Sequence, residues 1–455
     1  MNHILQRQRG AVAIMVAIAM LVLLGVVGLT IDAGLAYLIK ARLNAAVDSA
    51  ALAGARAVTT GNNQAEQTAS ARAAAADFFA ANIPTNYLLS APRTLSTNVT
   101  FKGGQAVIDV EADAKMPVSI MQVMGFASLT PVAAAQTIRN DLDMALVIDT
   151  SGSLRDSAAT VKASSKSFLG KFNVTQDRVA LLHFATGVEA DSPINPSARG
   201  FNRTTMNNAI NGYVFDGGTA SFEGMWEARR QLNLVPSGNR STMRVIVFFS
   251  DGAPTAFGAL PEFNNPSDCK SAGSIDRVLA EAGLAELGSS EKRYVSEGCK
   301  TWRMVYNFST RRNEPVPTVR RLPEWYNARS SSVREFPVVT DGPRQVTADI
   351  STPALYERNI LRASRNLAEA AAAKARSEGI VVFTLGFGSG LKEIVASDTT
   401  SNGETILKCM ANAVDAPKRC QNANQPVGMY CYAATDADLT PCFSRLASAI
   451  LRISK

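Results

Sequence analysis

The sequence predicts an α/β protein: an N-terminal transmembrane helix with a helical stalk, a small α+β layer, and a doubly wound sheet carrying large insertions. Three observations lead there. Residues 10–31 are an unbroken apolar run, the residues after it keep an apolar stripe at helical spacing, and from residue 142 onward apolar strands alternate with helices. The chain has 455 residues, 46% hydrophobic and 19% charged, with a formal net charge of +7. This composition excludes a disordered chain, a collagen and a polytopic membrane protein. The length allows about three domains at ~150 residues each.

The apolar run GAVAIMVAIAMLVLLGVVGLTI carries no charge before Asp32. At ~1.5 Å per residue it spans a ~30 Å hydrocarbon core. Arg7 and Arg9 precede it and Asp32 follows it, so the positive-inside rule puts residues 1–9 in the cytoplasm and everything after residue 32 outside. The alternative is a cleaved secretory signal. The run is longer than a typical signal core, and the sequence after it continues as helix instead of opening into a loop.

Leu35, Leu38, Ile39, Leu43, Ala46, Val47 and Ala50 form the apolar stripe, opposite Lys40, Arg42 and Asp48. Gly61-Asn62-Asn63 breaks this helix, and a second Ala-rich helix over 64–81 ends before Pro84, which completes a stalk over 32–81. Residues 82–140 read as a small strand-containing layer: Val107, Ile108 and Val110 lie in a strand-like run, Met116 to Met124 is a short amphipathic stretch, and LTPVAAAQTI is extended. None of this has the polar grouping of a catalytic site.

The stretch from Arg9 to Ala55 resembles the N-terminal segment of TadG-like proteins of the Flp (tight-adherence) pilus-assembly system. The resemblance runs to about residue 58. It rests on the apolar span after Arg9-Gly10, on Asp32, Gly34 and Tyr37, and on Asp48 leading into Ala50-Ala51-Leu52-Ala53. It implies a bacterial inner-membrane protein with its C-terminal part in the periplasm or at the cell surface. Prepilin-type processing after Gly10 usually wants a glutamate five residues on, where this chain has Met15. That departure favours a membrane-retained accessory protein over a processed pilin.

In the sheet region, MALVI (Met144 to Ile148) is a buried-type strand running into a polar turn with Asp149, Ser151 and Ser153 at alternate positions. Ser153 and Asp156 form a capping-box-like start for a helix over 156–171. Arg178 to Thr186 and Arg244 to Gly252 are two more apolar strands, the second ending at Asp251. Gly217-Gly218-Thr219 opens a helix between them, a long Ala-rich helix covers about Thr352 to Ser377, and Gly379 to Gly388 is a further strand. Residues just past strand C-termini gather in one crevice of such a sheet, so Asp149, Ser151, Ser153, Thr219 and Asp251 meet there. Carboxylate and hydroxyl oxygens are hard ligands for Mg2+ or Ca2+. Two carboxylates and three neutral hydroxyls leave open positions for an anionic group of a partner. The bland alternative is a polar turn that merely caps a helix.

This set is similar to the von Willebrand factor A domain and its metal-ion-dependent adhesion site. The resemblance covers about 142–254 and 351–453 of a domain running over 141–453. It implies that the same five residues hold the ion, some through water, and that a glutamate or aspartate from a protein partner completes its coordination. It implies adhesion or protein binding and no chemistry. Two insertions, 255–350 and 388–428, directly follow strands and so are expected to emerge on the ligand face and crowd the rim of the site.

All six cysteines lie beyond residue 268, with no C-x-x-C, and the last four are each 11 residues apart. For an exported domain this predicts disulfides and not zinc. Proximity favours Cys269 with Cys299, leaving Cys409, Cys420, Cys431 and Cys442 to pair among themselves. The two histidines, His3 and His183, leave little room for a histidine-rich metal site or a Ser/His/Asp triad, and His183 reads as a satisfied core or edge residue. Arg311-Arg312 and Arg320-Arg321 sit in a stretch, 255–350, with 13 Lys/Arg against 12 Asp/Glu, which is a solvated surface and predicts no nucleic-acid partner. Trp302 and Trp325 read as local packing. The reading is a non-enzymatic, membrane-anchored adhesion or pilus-assembly protein. The alternatives are a structural envelope anchor whose ion only stabilises the fold, and an exported hydrolase, against which stands the lack of G-x-S-x-G, H-E-x-x-H and a second extracytoplasmic histidine.

Overall fold

The computed structural model describes residues 11–453 except 59, 61–63, 103–104, 242, 279–282, 292, 330–331, 397 and 400. Arg7, Arg9 and the Gly61-Asn62-Asn63 breaker lie outside the described residues. The chain divides into two compact units that meet between Arg139 and Asn140.

In the first unit, α1 (Ala11–Ala57) is one continuous helix. Its N-terminal half presents Val12, Ile14, Leu21, Leu23 and Val27 to the surroundings, and among the described residues it is the one helix long and apolar enough to cross a membrane. From Ile39 on, one face is buried: Ile39, Leu43, Ala46, Val47, Ala50 and Ala51 pack with Ala71, Ala75 and Phe79 of α2 (Gln64–Asn82). The small residues let the elements approach closely. A Cβ on Gly54 would stand 3.1 Å from the Ile108 side chain and 3.2 Å from the Ala71 carbonyl oxygen.

The helices cover an antiparallel hairpin, β1 (Ala91–Lys102) and β2 (Gln105–Pro117), paired from Ala91 opposite Lys115 to Lys102 opposite Gln105. Alternation along β2 buries Ala106, Ile108, Val110, Ala112, Ala114 and Met116 against the helices. The short β3 (Ser128–Leu129) and β4 (Val132–Asn140) both pair with β2. The expected stalk and the expected strand layer are therefore one body, because the apolar stripe of the stalk is half of the layer's core.

Asp32 ties the loop before β3 to α1 within this unit. Its carboxylate accepts the backbone N–H groups of Ser119 (3.0 Å), Ile120 (3.1 Å) and Met121 (3.0 Å), and these bonds hold its pKa below the usual carboxylate range. One turn earlier a Cβ on Gly28 would lie 2.5 Å from Ile120 Cγ2, so only glycine admits that loop so close to the helix.

In the second unit, β5 (Leu142–Asp149), α3 (Ala158–Leu169), β6 (Arg178–Phe184), β7 (Val188–Ser192), α4 (Arg203–Gly212), α5 (Ser221–Leu234) and β8 (Met243–Ser250) follow in order. The first insertion contributes β9 (Ala256–Ala259), β10 (Glu262–Phe263), β11 (Gly273–Asp276), β12 (Trp302–Asn307), β13 (Arg312–Pro317) and β14 (Val319–Arg321). Then come α6 (Pro353–Ser377), β15 (Val381–Phe387), α7 (Gly403–Ala411), β16 (Tyr430–Ala433) and α8 (Asp436–Ile453). The main sheet has the order β16-β15-β8-β5-β6-β7, parallel except for β7, which pairs antiparallel with β6. Every residue of β5, β6 and β8 is buried, as strands covered on both faces require.

One face of the sheet packs on α3, α4 and α8 through Phe168, Ile210 and Phe443, and the other on α5 and α6 through Phe222, Met225 and Ile360. The first insertion does not hang free. Its Phe257, Ile275, Val319, Tyr326 and Phe336 belong to the α5/α6 core. Disulfides join Cys269 to Cys299 within that insertion, Cys409 to Cys420 in the second, and Cys431 of β16 to Cys442 of α8.

At the opposite edge from the crevice, Asp143 and Arg178 form a pair with no exposed side-chain area on either partner, 2.7 Å between Asp143 Oδ1 and Arg178 Nε. Ser241 donates its backbone N–H and its hydroxyl to the same carboxylate, at 2.9 and 2.8 Å. Removing one partner strands a buried charge. Asp143→Ala is expected to lower unfolding stability by about 3–5 kcal/mol, read by urea denaturation of the full chain in detergent with tryptophan fluorescence. Trp226, Trp302 and Trp325 all lie in this unit.

Candidate metal centre

Strands β5 and β8 are parallel neighbours, so their carboxyl ends leave the sheet side by side. Asp149 is the last residue of β5, and Asp251 directly follows β8. Asp149 is fully buried; its Oδ1 accepts the Ser151 N–H at 2.8 Å and its Oδ2 accepts the Ser250 hydroxyl at 2.6 Å. Ser151 Oγ lies 3.3 Å from Ser153 Oγ, which donates to Asp251 Oδ1 at 3.0 Å. A row of oxygens thus runs from one carboxylate through two serines to the other. Ser153 does not cap a helix as its spacing to Asp156 suggested. Its hydroxyl is taken by Asp251, the chain passes through a 3-10 turn over Gly152–Ser157, and α3 begins only at Ala158 with no side-chain cap.

The turn carrying Thr219 is tied to this row. Gly152 N–H donates to the Gly217 carbonyl oxygen at 3.2 Å. Gly217 has φ +91°, and a Cβ there would lie 2.4 Å from Thr186 Oγ1, so the turn needs glycine twice over. Thr219 donates its N–H to Thr255 Oγ1 at 3.0 Å and accepts the Thr255 N–H at 3.0 Å. Its own Oγ1 is 3.8 Å from the place of a Cβ on Gly252, beside Asp251. The structure therefore gathers all five residues singled out in the sequence.

Two cavities open on them. One of about 220 Å3 is lined by Ser151, Ser153 and Thr219 together with Ser274, Asp276 and Arg277 of the first insertion. The other, about 410 Å3, is lined by Ser153, Thr219 and Asp251 together with Arg277 and, from the second insertion, Gly388 and Glu393. Both insertions thus stand at the rim. The contact is tight: a Cβ on Gly218 would lie 2.1 Å from Asp276 Oδ2.

Burial, and then the charge of Asp251, pushes the Asp149 carboxyl up to about 7, although the Ser151 and Ser250 donors oppose the shift. Burial likewise pushes Asp251 up to about 6. Among the described residues neither the buried Asp149 nor the half-buried Asp251 beside it is paired with a cationic side chain. Their oxygens and the three hydroxyls are the donor set a hard divalent cation requires.

A second cluster escaped sequence reasoning. His183, Glu189 and Asp191 each offer a ligand atom, and these atoms lie within 4.8 Å of one another. His183 Nδ1 is 2.9 Å from Asp191 Oδ2, its Nε2 is 2.8 Å from Ser290 Oγ, and its ring stacks on Tyr213, which donates to Asp191 at 2.8 Å. The available signal was local: Glu189 and Asp191 flank one position on β7, and β7 folds back on the strand that carries His183. Ser290 comes from the insertion, 107 residues away, and no spacing announces it. Here both ring nitrogens of His183 have partners.

The profile of the von Willebrand factor type A domain matches residues 143–280, and that of the Flp pilus-assembly TadE/G-like family matches residues 10–57. No curated protein matches the chain. Among solved structures, the vWF domain of the type V pili tip protein Mfa5 from Porphyromonas gingivalis is 17% identical, with 70% of this chain and 98% of that one covered at a TM-score of 0.39. The pilus adhesin SpaC from Lactobacillus rhamnosus GG is 16% identical over 80% of this chain and 34% of its own, with a TM-score of 0.37. The PilB minor pilin from Streptococcus sanguinis is 13% identical over 81% and 80%, also at 0.37. By its two matched regions the chain joins a TadE/G-like Flp pilus-assembly segment to a von Willebrand factor type A domain.

Proposed function

We propose that this is a membrane-anchored pilus-assembly or adhesion protein. Its von Willebrand factor A domain grips an acidic side chain of a protein partner through a divalent cation, Mg2+ or Ca2+, held by Asp149, Ser151, Ser153, Thr219 and Asp251. The observation that carries this reading is the pair of carboxylates at adjacent strand ends, Asp149 fully buried and Asp251 half-buried, linked by two serine hydroxyls and opening on two cavities. A cation bound there supplies the charge that both carboxylates lack and offers its remaining positions to an incoming carboxylate. Family resemblance to pilus proteins supports a partner in the pilus or the cell envelope.

The three disulfides support a domain outside the cytoplasm, and Arg7 and Arg9 support a cytoplasmic N-terminus with α1 spanning the inner membrane. The function is read as non-enzymatic. Ser290, His183 and Asp191 do follow the hydrogen-bond order of a hydrolytic triad, but Ser290 is buried, and both its N–H (2.9 Å) and its Oγ (3.1 Å) face Glu189 Oε1. A carboxylate stands where an oxyanion would need donors, which favours a structural tie between β6, β7 and the first insertion.

Two outcomes follow. Raised carboxyl pKa values mean that the ion-free fold is penalised as pH climbs from about 4 through 7, where the folded protein must give up protons the unfolded chain has already lost. Thermal melts of the full chain in detergent with EDTA should show Tm falling over that range. Saturating Mg2+ should raise Tm by a few degrees at pH 7.5 and by less at pH 5. Equal shifts at both pH values would count against the site. Second, Asp149→Ala should abolish EDTA-sensitive capture of envelope partners while the far-UV circular dichroism stays unchanged. Loss of folded protein instead would support a purely structural ion.

A further inference from the structure

Arg277, from the first insertion, lines both cavities of the metal centre, and its place is fixed by backbone. Its N–H donates to the Thr255 carbonyl oxygen at 3.1 Å, and Thr255 is bonded through both its N–H and its Oγ1 to Thr219. The preceding residue, Asp276, accepts from the Thr255 hydroxyl at 3.1 Å, so the segment is clamped on both sides. Outside the five-residue set, Thr255 and Arg277 line both cavities, and of the two only Arg277 carries charge.

Among the described residues its guanidinium has one partner: Nη1 reaches Glu357 at 3.1 Å, a carboxylate with 46% of its side chain exposed. Nε is buried, while the side chain as a whole keeps 30% of its area exposed, so the terminal nitrogens are the part a ligand can reach. A guanidinium carries five N–H donors. The other arginine on the larger cavity, Arg365, has Nη1 bonded to Asp398 and to the Ser401 carbonyl oxygen, and only 2% of its side chain is exposed. Glu393 lines the same cavity and repels an anion. Of the two arginines there, Arg277 is the one an acidic ligand can reach.

We propose that Arg277 is a specificity residue: the partner segment carries two acidic groups, one that reaches the metal centre and a second that pairs with Arg277. The inference rests on the ion-gripping reading above, and it narrows the partner from any exposed glutamate or aspartate to a closely spaced acidic pair. Arg is suited to the task because its fork can donate two parallel N–H bonds to one carboxylate.

The test is isothermal titration of the full chain in detergent micelles with saturating Mg2+, using acetylated and amidated Gly/Ser hexapeptides. One peptide bears a single glutamate; the others bear two, separated by none, one or two residues. Wild type is expected to bind at least one two-glutamate peptide roughly tenfold more tightly than the single-glutamate peptide. Arg277→Ala should erase that preference yet keep the single-glutamate affinity, Arg277→Lys should keep part of it, and Glu357→Gln should retain or raise it. Asp149→Ala should abolish binding of every peptide. Binding of the single-glutamate peptide without any preference for pairs overturns the role of Arg277 and leaves the metal reading standing. So does loss of the single-glutamate affinity in Arg277→Ala, or loss of the preference in Glu357→Gln, because either makes Arg277 a structural residue. No Mg2+-dependent binding by wild type overturns both.

Discussion

The second unit is organised around an electrostatic cost: Asp149, fully buried, is set beside the half-buried Asp251 at the ends of neighbouring parallel strands. Parallel pairing makes this unavoidable, since β5 and β8 must release their chains at the same edge. The serine hydroxyls between the two acids soften the cost without cancelling it. What remains is a group of oxygens whose charge balance calls for a cation, built from main-chain geometry and set before any partner arrives.

The insertions turn that general device into a particular one. They extend the core: Phe257, Ile275 and Tyr326 of the first insertion and Ile406 and Met410 of the second belong to the cluster that packs on α5 and α6. Disulfides pin each insertion locally. The first unit obeys a parallel logic on a smaller scale. One carboxylate, Asp32, collects three backbone N–H groups and locks a loop of the strand layer against the helix just beyond its exposed apolar half.

Legibility in the sequence followed range. Asp149, Ser151, Ser153 and Asp251 were readable because each sits at the end of an apolar strand, and Thr219 because two glycines open its helix. The all-buried strands β5, β6 and β8 announced a sheet covered on both faces. What stayed hidden depends on contacts between distant segments. Ser153 looked like a helix cap because its true acceptor, Asp251, is 98 residues away. Asp32 looked like a membrane-boundary charge because its donors lie 87 to 89 residues on. The stalk and the strand layer seemed separate because an Ala-rich stripe does not name the sheet it packs on. Cys409, Cys420, Cys431 and Cys442 were equally spaced, so only the fold chose Cys409–Cys420 and Cys431–Cys442.

The second oxygen- and nitrogen-bearing cluster, at His183, Glu189 and Asp191, makes the location of any bound cation the sharpest question. Crystals of the protein grown with Mn2+ in place of Mg2+ answer it through the anomalous signal of the metal. The account predicts one strong peak about 2.1 Å from the hydroxyls of Ser151 and Ser153, between Asp149 and Asp251. A peak at His183 and Asp191 instead, or none at either place, would contradict it.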